Sequence, residues 1–217
     1  MKDSGVEWIG EIPEHWRIGR IKYNTYLKGR IGWQGLKASE FIEQGPFLVT
    51  GTDFEKGKVN WKKCYHISND RYEEAPDIHL KVGDLLITKD GTVGKLAYID
   101  SLPGEASLNS HLLLIRPSTS LYTNKYLYWI FSSSIFYKYT GLSQDGSIMA
   151  SLSQEKINKF SFPVCSLEEQ QQIIDYLDKK CSAIDKLISS KKKLIEKLTE
   201  YKKSLIYECV TGKREVQ

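Results

Sequence analysis

Residues 166–210 contain neither glycine nor proline, and this uninterrupted stretch constrains the chain more than any other feature. Pro163 disfavours helix just upstream. Ser166 followed by Glu169 matches a capping box, in which the serine accepts a backbone N–H and the glutamate reaches back to the cap. The stretch therefore predicts one long helix. At about 1.5 Å per residue it would reach roughly 65 Å, more than a domain of this size can cover.

Apolar side chains recur along this stretch at intervals of three and four residues, so they share one face of the predicted helix, while lysines fill much of the other. Left unpaired, such a face would be an exposed patch of the kind that marks an interaction site. We therefore expect a coiled coil with another copy or another chain; an amphipathic helix lying on its own domain is the alternative. The predicted interface residues are Ile173, Leu177, Ile184, Leu187, Ile188, Leu194, Ile195, Leu198 and Leu205.

The composition fits one globular domain with an extension, since 41% of the 217 residues are hydrophobic and 27% are charged. The sequence shows no membrane segment, and its first residues lack the apolar run of a secretory signal. We therefore expect a cytoplasmic protein without a membrane partner. The four cysteines are scattered, which favours reduced thiols over a zinc site. A net charge of +4 is weak evidence for nucleic acid by itself.

The part before the long stretch has the pattern of a mixed α/β domain. Short strand-like runs separated by glycines occupy residues 17–26, 47–50, 58–61, 63–66 and 111–116. Ser68 is a candidate cap of a short helix, and Ser151-Leu152-Ser153-Gln154 has the capping-box pattern of another. The aromatic-rich residues 124–140 predict one or two buried helices. We therefore expect an α+β fold, with a globular domain over residues 1–165 and the long helix over residues 166–217.

Motifs for catalysis are largely missing from the sequence. The segment ending at Gly94-Lys95 lacks the first glycine and the hydroxyl of a phosphate-binding loop, and the dinucleotide-binding and His-Glu-x-x-His motifs do not occur. A metal-dependent nuclease needs a Pro-Asp pair ahead of an acidic-x-Lys pair. Pro76-Asp77 precedes Asp84 and Lys89, but Ile87 stands where the second carboxylate belongs. We therefore expect no catalytic residues and no metal site, and a nuclease is the weakest hypothesis.

Several short motifs nevertheless follow one another in a recognisable order. The chain opens with Trp-x-Gly-x-Ile-Pro-x-x-Trp at residues 8–16 and continues with Gly-Asp-Leu-Leu-Ile-Thr-Lys-Asp-Gly-Thr-Val-Gly at residues 83–94. Leu-Ser-Gln at 152–154, Phe-Pro-Val at 162–164 and Leu-Glu-Glu-Gln at 167–170 come next, and Val-Thr-Gly-Lys ends the series at 210–213. In this order the motifs resemble the specificity subunits of type I restriction-modification systems, over essentially the whole chain.

The resemblance implies a non-catalytic subunit with a target-recognition domain that recognises one half of a split DNA sequence. Usual members carry two such domains and two long helices, which pack antiparallel; this chain has one of each and looks like a half-size or truncated form. Two copies paired antiparallel would recognise an inverted repeat. The implied partners are methyltransferase subunits that use S-adenosylmethionine and, through them, the restriction subunit; no cofactor is expected in this chain. The alternative is an auxiliary subunit that pairs with another specificity subunit without binding DNA.

Three polar loops carry the candidate DNA contacts, because amide, guanidinium and hydroxyl groups suit base edges and cations suit phosphates. The first loop, residues 28–37, contains three glycines; the second is the Lys-Asp-Gly-Thr turn of a predicted hairpin; the third is residues 141–147. The predicted DNA-binding residues are Arg30, Trp33, Gln34, Lys37, Lys89, Asp90, Thr92, Gln144 and Ser147. In the first loop we expect Arg30 and Gln34 at bases, Trp33 packed beside them and Lys37 near phosphate. For each residue, an exposed loop position without a DNA role is the alternative.

Overall fold

The computed structural model describes residues 1–31, 35–141 and 152–215. The chain divides into two compact units, Met1–Gln172 and Ile173–Gln217. The first unit contains strands, short helices and the first turns of the long helix, and the second unit continues that helix. The predicted α+β fold is confirmed.

The secondary structure of the described residues is as follows. The strands are β1 (Lys2–Asp3), β2 (Glu11–Ile12), β3 (Arg17–Arg20), β4 (Thr25–Lys28), β5 (Ile42–Val49), β6 (Phe54–Glu55), β7 (Lys58–Val59), β8 (Tyr65–His66), β9 (Leu85–Thr88), β10 (Leu96–Tyr98), β11 (Ala106–Leu108), β12 (Leu112–Pro117) and β13 (Ser161–Val164). The helices are α1 (Ile21–Asn24), α2 (Asn69–Glu73), α3 (Asn124–Phe131), α4 (Ser134–Thr140), α5 (Gln154–Asn158) and α6 (Leu167–Val210).

Two sheets share the core of the first unit. One is antiparallel, with the order β10-β9-β12-β4. In the other, β5 lies between β11, to which it is parallel, and the antiparallel β8. Every residue of β9 and the first four of β12 are buried, so the middle of the first sheet is covered on both faces. Val49 and Leu108 from one sheet join Leu86 and Leu114 from the other in a single apolar cluster.

The predicted strand over residues 17–26 is wrong as a single element. β3 pairs with β13, whereas β4 pairs with β12, and the four residues of α1 carry the chain from one pairing to the other. Ile21 in α1 is fully buried, and its backbone N–H donates to Phe160 O at 3.1 Å. Because the break arises from pairing with two different distant strands, β13 and β12, the local sequence pattern gives no sign of it.

The aromatic residues of α3 and α4 form core, as predicted. The ring of Phe131 stacks on that of Phe136, with centroids 4.2 Å apart, and meets Phe160 edge-on at 5.5 Å. All three side chains are almost completely buried. The hydrophobic stripe in residues 124–140 is therefore explained by packing and not by a cofactor.

The start of α6 follows the predicted cap only in part. Ser166 Oγ accepts from Glu169 N at 3.2 Å, which confirms the serine cap. The Glu169 carboxylate, however, accepts from Trp16 Nε1 at 3.0 Å and lies 3.1 Å from His15 Nε2, instead of returning to the cap. These contacts fix His15 and Trp16 of the N-terminal segment to the first turn of α6.

The apolar face of α6 is largely exposed within the second unit. Six of the predicted interface side chains are between 47% and 63% exposed, namely Ile184, Leu187, Ile188, Leu194, Ile195 and Leu198, while Ile173, Leu177 and Leu205 are intermediate. None of the helices in the described ranges has the length and apolarity that crossing a membrane requires. A coiled-coil partner for this face stays a prediction.

Candidate nucleic-acid interface

The predicted hairpin of β9 and β10 is confirmed, and its connection is the loop of residues 89–95. Thr88 Oγ1 fastens this loop, because it donates to Thr92 O at 2.5 Å and accepts from Lys95 N at 2.9 Å. Gly91 turns the chain with a φ of 76°, a conformation that glycine adopts without strain. The side chain of Thr92 is exposed on the loop, where it can contact a ligand.

The backbone of Lys89 connects the hairpin to two other segments. Its N–H donates to His111 O at 2.9 Å, just before β12, and its carbonyl accepts from Leu152 N at 2.9 Å. The side chain of Gln154 donates in turn to Leu27 O in β4 at 2.9 Å. The segments that follow β4 and β9 and those that precede β12 and α5 therefore meet at one end of the four-stranded sheet.

A cavity of about 410 Å³ lies at this meeting point. It combines the start of the first predicted loop, the base of the hairpin loop and the residues that follow the third predicted loop. Its lining residues are Gly29, Arg30, Ile31, Lys89, Asp90, Leu113, Leu152, Ser153 and Gln154. The fold thus brings together segments that are far apart in the sequence.

The hairpin side of this cavity carries both signs of charge. Asp90 Oδ2 lies 4.0 Å from Lys89 Nζ and 3.6 Å from His111 Nδ1. The three side chains are 42%, 29% and 63% exposed, respectively, so water screens these pairs strongly. Such weakly held groups can exchange their partners for the phosphates or base edges of a bound duplex.

Arg30 differs from its prediction as an exposed residue at a base. It is only 3% exposed, and its guanidinium donates from Nε to Leu108 O and from Nη2 to Ser107 Oγ, both at 2.9 Å. Burial, and next the positive charge of Arg71, lower the pKa of Arg30 to about 10, so the side chain stays charged at neutral pH. These contacts assign the Arg30 side chain to the inside of the domain.

The other predicted DNA contacts lie away from the cavity lining or outside the described residues. Lys37 is exposed, ahead of the short 3-10 turn of residues 38–40, and it does not line the cavity. Trp33, Gln34, Gln144 and Ser147 lie outside the described residues, so their assignments stay predictions. Of the five predicted contacts that the structure describes, Arg30, Lys89 and Asp90 line the cavity.

The sequence reasoning assigned no DNA role to Ser153 and Gln154. The predicted short helix is α5, and its cap is Ser153, whose Oγ accepts from Lys156 N at 3.1 Å. The predicted capping box began at Ser151, which lies outside the described residues, and Gln154 is the first residue of the helix. Ser153 and Gln154 belong to the cavity. Their position directly after a polar loop was the available signal, but the capping pattern already accounted for them.

The carboxylates of the nuclease hypothesis take part in other contacts. Both oxygens of the buried Asp84 accept from Arg116, at 2.7 Å each, and Asp77 pairs with Lys28 at 3.2 Å. Within the ranges that the structure describes, no group of three or more His, Cys, Asp or Glu side chains could hold a metal ion. The geometry gives the nuclease hypothesis no support.

Comparison with known proteins agrees with the order of motifs. Residues 31–200 match the family model of the type I restriction modification DNA specificity domain. The type I restriction enzyme MjaVIII specificity subunit of Methanocaldococcus jannaschii is 24% identical over 213 residues, which cover 96% of this chain and 48% of that protein. The chain therefore spans about half the length of the relatives that it matches.

Two solved structures share the fold. One is a chain from work on complex assembly and conformational transition of the type I R-M system, with a TM-score of 0.69 and 20% identity, covering 92% of this chain and 47% of that one. The other is the HsdS subunit from Thermoanaerobacter tengcongensis, with a TM-score of 0.62 and 20% identity, covering 84% and 41%. Since the family model matches well over half of its residues, the chain belongs to the family of type I restriction-modification DNA specificity domains.

Proposed function

We propose that this chain recognises one half-site of a split sequence in duplex DNA and has no catalytic activity of its own. The observation that supports this is the convergence of the first loop, the hairpin loop and the segment after the third loop around one cavity. Loops held at the end of a rigid sheet suit recognition, because the scaffold fixes their side chains while their sequences can vary. Membership of the specificity-domain family supports the same function.

The polar side chains of these loops suit different parts of a DNA duplex. Lys89 and Lys37 suit phosphate, since an ammonium is a point charge, and Thr92 suits either a phosphate or a base edge. Trp33, Gln34, Gln144 and Ser147 remain the proposed contacts from the first and third loops. Arg30 is not among the proposed DNA contacts, because its guanidinium donates to Leu108 O and Ser107 Oγ inside the domain.

We propose further that two copies pair their α6 helices in antiparallel fashion, which would present two identical recognition domains to an inverted repeat. The exposed apolar face from Ile184 to Leu198 supports this pairing. The dimer would hold methyltransferase subunits, which use S-adenosylmethionine, and through them the restriction subunit, in the cytoplasm. Light scattering across a range of protein concentrations tests the pairing: a dimer is expected, and a constant monomer mass would contradict it.

The DNA-binding proposal is tested by selecting bound duplexes from a random pool and measuring binding to a selected and a scrambled duplex. We expect enrichment of a defined sequence, repeated in inverted orientation with a fixed gap, and an affinity for it about 10³-fold or more above that for scrambled DNA. A pool that stays random would refute recognition and favour the auxiliary subunit that pairs with another chain.

A matched pair of lysine variants locates the contact. Lys89→Ala should weaken binding to both duplexes and lower the salt dependence by about one counterion, as the loss of one phosphate contact requires. Lys81→Ala is the control, because Lys81 is an exposed lysine that precedes β9, at the opposite end of the strand from Lys89. Equal effects of the two variants would contradict a DNA contact at Lys89.

A further inference from the structure

We propose that Arg30 and Arg71 are positioning residues, which hold the two flanks of the first loop, residues 29–31 and 35–37, in place without themselves contacting DNA. The inference rests on the proposed function and deepens it. Arg30 would then affect base recognition through the position of the loop, without contacting a base itself. The two arginines act on opposite flanks. Arg30 extends from the loop into the domain, whereas Arg71 extends from the domain to the loop.

The first flank is tied to the end of β11. Arg30 extends from the flank to Leu108 O and Ser107 Oγ, and Ser107 is itself fully buried. The backbone of the flank is packed closely as well, because a Cβ added to Gly29 would lie 2.9 Å from Leu113 Cδ2 and 3.2 Å from Leu112 O. The flank therefore cannot shift without breaking guanidinium contacts or displacing β12.

The second flank is held by the side chain of Arg71, which projects from α2. Arg71 Nη2 donates to Gly35 O at 3.2 Å, and its Nε lies 2.8 Å from Glu40 Oε1. The other oxygen of Glu40 accepts from Lys37 N at 2.7 Å. Arg71 also pairs with Glu74, the residue that follows α2. Two backbone groups of this flank thus depend on one arginine and its carboxylate.

The two guanidinium groups lie close enough to influence each other. The charge of Arg71 contributes to the lowered pKa of Arg30, and the carboxylates of Glu74 and Glu40 oppose that effect. Two positive charges near a buried site are costly unless they are paired. The internal acceptors of both guanidinium groups offset this cost. Lysine could not replace either group fully, because one ammonium lacks the planar fork that reaches two separated acceptors.

The test uses the full chain with the selected and scrambled duplexes, at a temperature below the unfolding midpoint of every variant. Arg30→Met and Arg71→Met should each weaken binding to the selected duplex at least about tenfold, with binding to scrambled DNA and its salt dependence unchanged. A repeated selection should show preference lost at several base pairs together. Hydrogen exchange should become faster in peptides covering the two flanks. Arg30→Lys, which keeps the charge, should be intermediate.

Arg116→Met is the matched control, because Arg116 is also held internally, by Asp84 and by His79 O at 3.0 Å. It should lower thermal stability but keep the ratio of specific to scrambled binding. A preference lost at one base pair only would mean that Arg30 contacts that base, and an equal loss on both duplexes with a smaller salt dependence would mean a phosphate contact. Either result, or an equal loss of preference in Arg116→Met, overturns the inference.

The same data separate this inference from the proposed function. A wild-type chain without any sequence preference would refute the proposed function and the inference with it. A wild-type chain with a clear preference, combined with unchanged preference in Arg30→Met and Arg71→Met, would refute the positioning role alone. Unchanged hydrogen exchange in the flanks would count against it in the same way.

Discussion

The two units of this chain treat apolar side chains in opposite ways. In Met1–Gln172, leucines and isoleucines such as Leu86, Leu112 and Ile115 are fully buried within the unit itself. In Ile173–Gln217, Ile184 and Leu198 are more than half exposed although their spacing is as regular. Since burial of each such side chain is worth about 1.5–3 kcal/mol, the first unit gains stability internally, whereas the exposed face of the second would gain it from the proposed partner helix.

Breaking the exposed face should have the largest effect. Replacing Ile184 and Leu198 together with Asp places charges where the proposed partner helix must pack, so the dimer mass measured by light scattering should fall to that of a monomer at all accessible concentrations. Thermal unfolding of the first unit should stay close to that of the wild-type monomer.

The control for this variant is Ser182→Asp combined with Ser189→Asp, which adds the same charge on the opposite side of α6, where both serines are exposed. It should keep the dimer mass. An Ile184→Asp/Leu198→Asp double variant that retained the wild-type mass would sink the pairing.

A break in the buried core should leave the dimer mass unchanged but lower the free energy of unfolding of the first unit. Phe131→Ala removes a fully buried ring from between Phe136 and Phe160, and the cavity it leaves should cost about 3–5 kcal/mol in denaturant unfolding. The loss should not depend on protein concentration. Tyr23→Ala, at a side chain that is 65% exposed, should stay within about 0.5 kcal/mol of wild type.

Loss of the buried ion pair between Asp84 and Arg116 should have the next largest effect. Asp84→Asn leaves Arg116 without its carboxylate and should cost about 2–3 kcal/mol, because a charge held in the domain loses its counter-charge. Asp77→Asn removes a surface pair with Lys28 and should cost less than about 1 kcal/mol. Similar costs for the two variants in urea unfolding would show that burial does not distinguish these pairs.

The smallest effect is expected at the start of α6, which lies in the first unit. Ser166→Ala removes the cap of α6 and should cost about 1 kcal/mol, since one backbone N–H loses its acceptor. Ser166→Asp supplies a carboxylate acceptor and should restore the unfolding midpoint. If Ser166→Asp unfolded as easily as Ser166→Ala, the cap would not be the reason for the loss.

Local patterns in the sequence predicted the elements that local chemistry determines. The absence of glycine and proline identified α6, and Ser68 identified α2. The Ser-x-x-Gln pattern at residues 151–154 identified α5, and the Asp-Gly turn identified the β9–β10 hairpin. The break at α1 and the parallel pairing of β5 with β11 were not predicted, because both depend on strands that are distant in the sequence.

The candidate site was predictable in position but not in its contacts. Two of the three polar loops supply Lys89, Asp90 and Ile31 to one cavity, and Ser153 follows the third. Arg30 shows why contacts could not be predicted. An arginine in a glycine-rich loop suits a base contact as well as it suits an internal hydrogen bond. Only the fold reveals that Leu108 O and Ser107 Oγ take up its donors.

The pairing of β3 with β13 has a consequence for how this protein is made. Residues 17–20 leave the ribosome early, yet their hydrogen-bond partners at residues 161–164 are among the last of the first unit to be synthesised. Until then β3 is an unpaired edge, and closing so long a loop slows the final step of folding. A nascent chain arrested before residue 161 should therefore be protease-sensitive near its N-terminus, and release of the remaining residues should protect it.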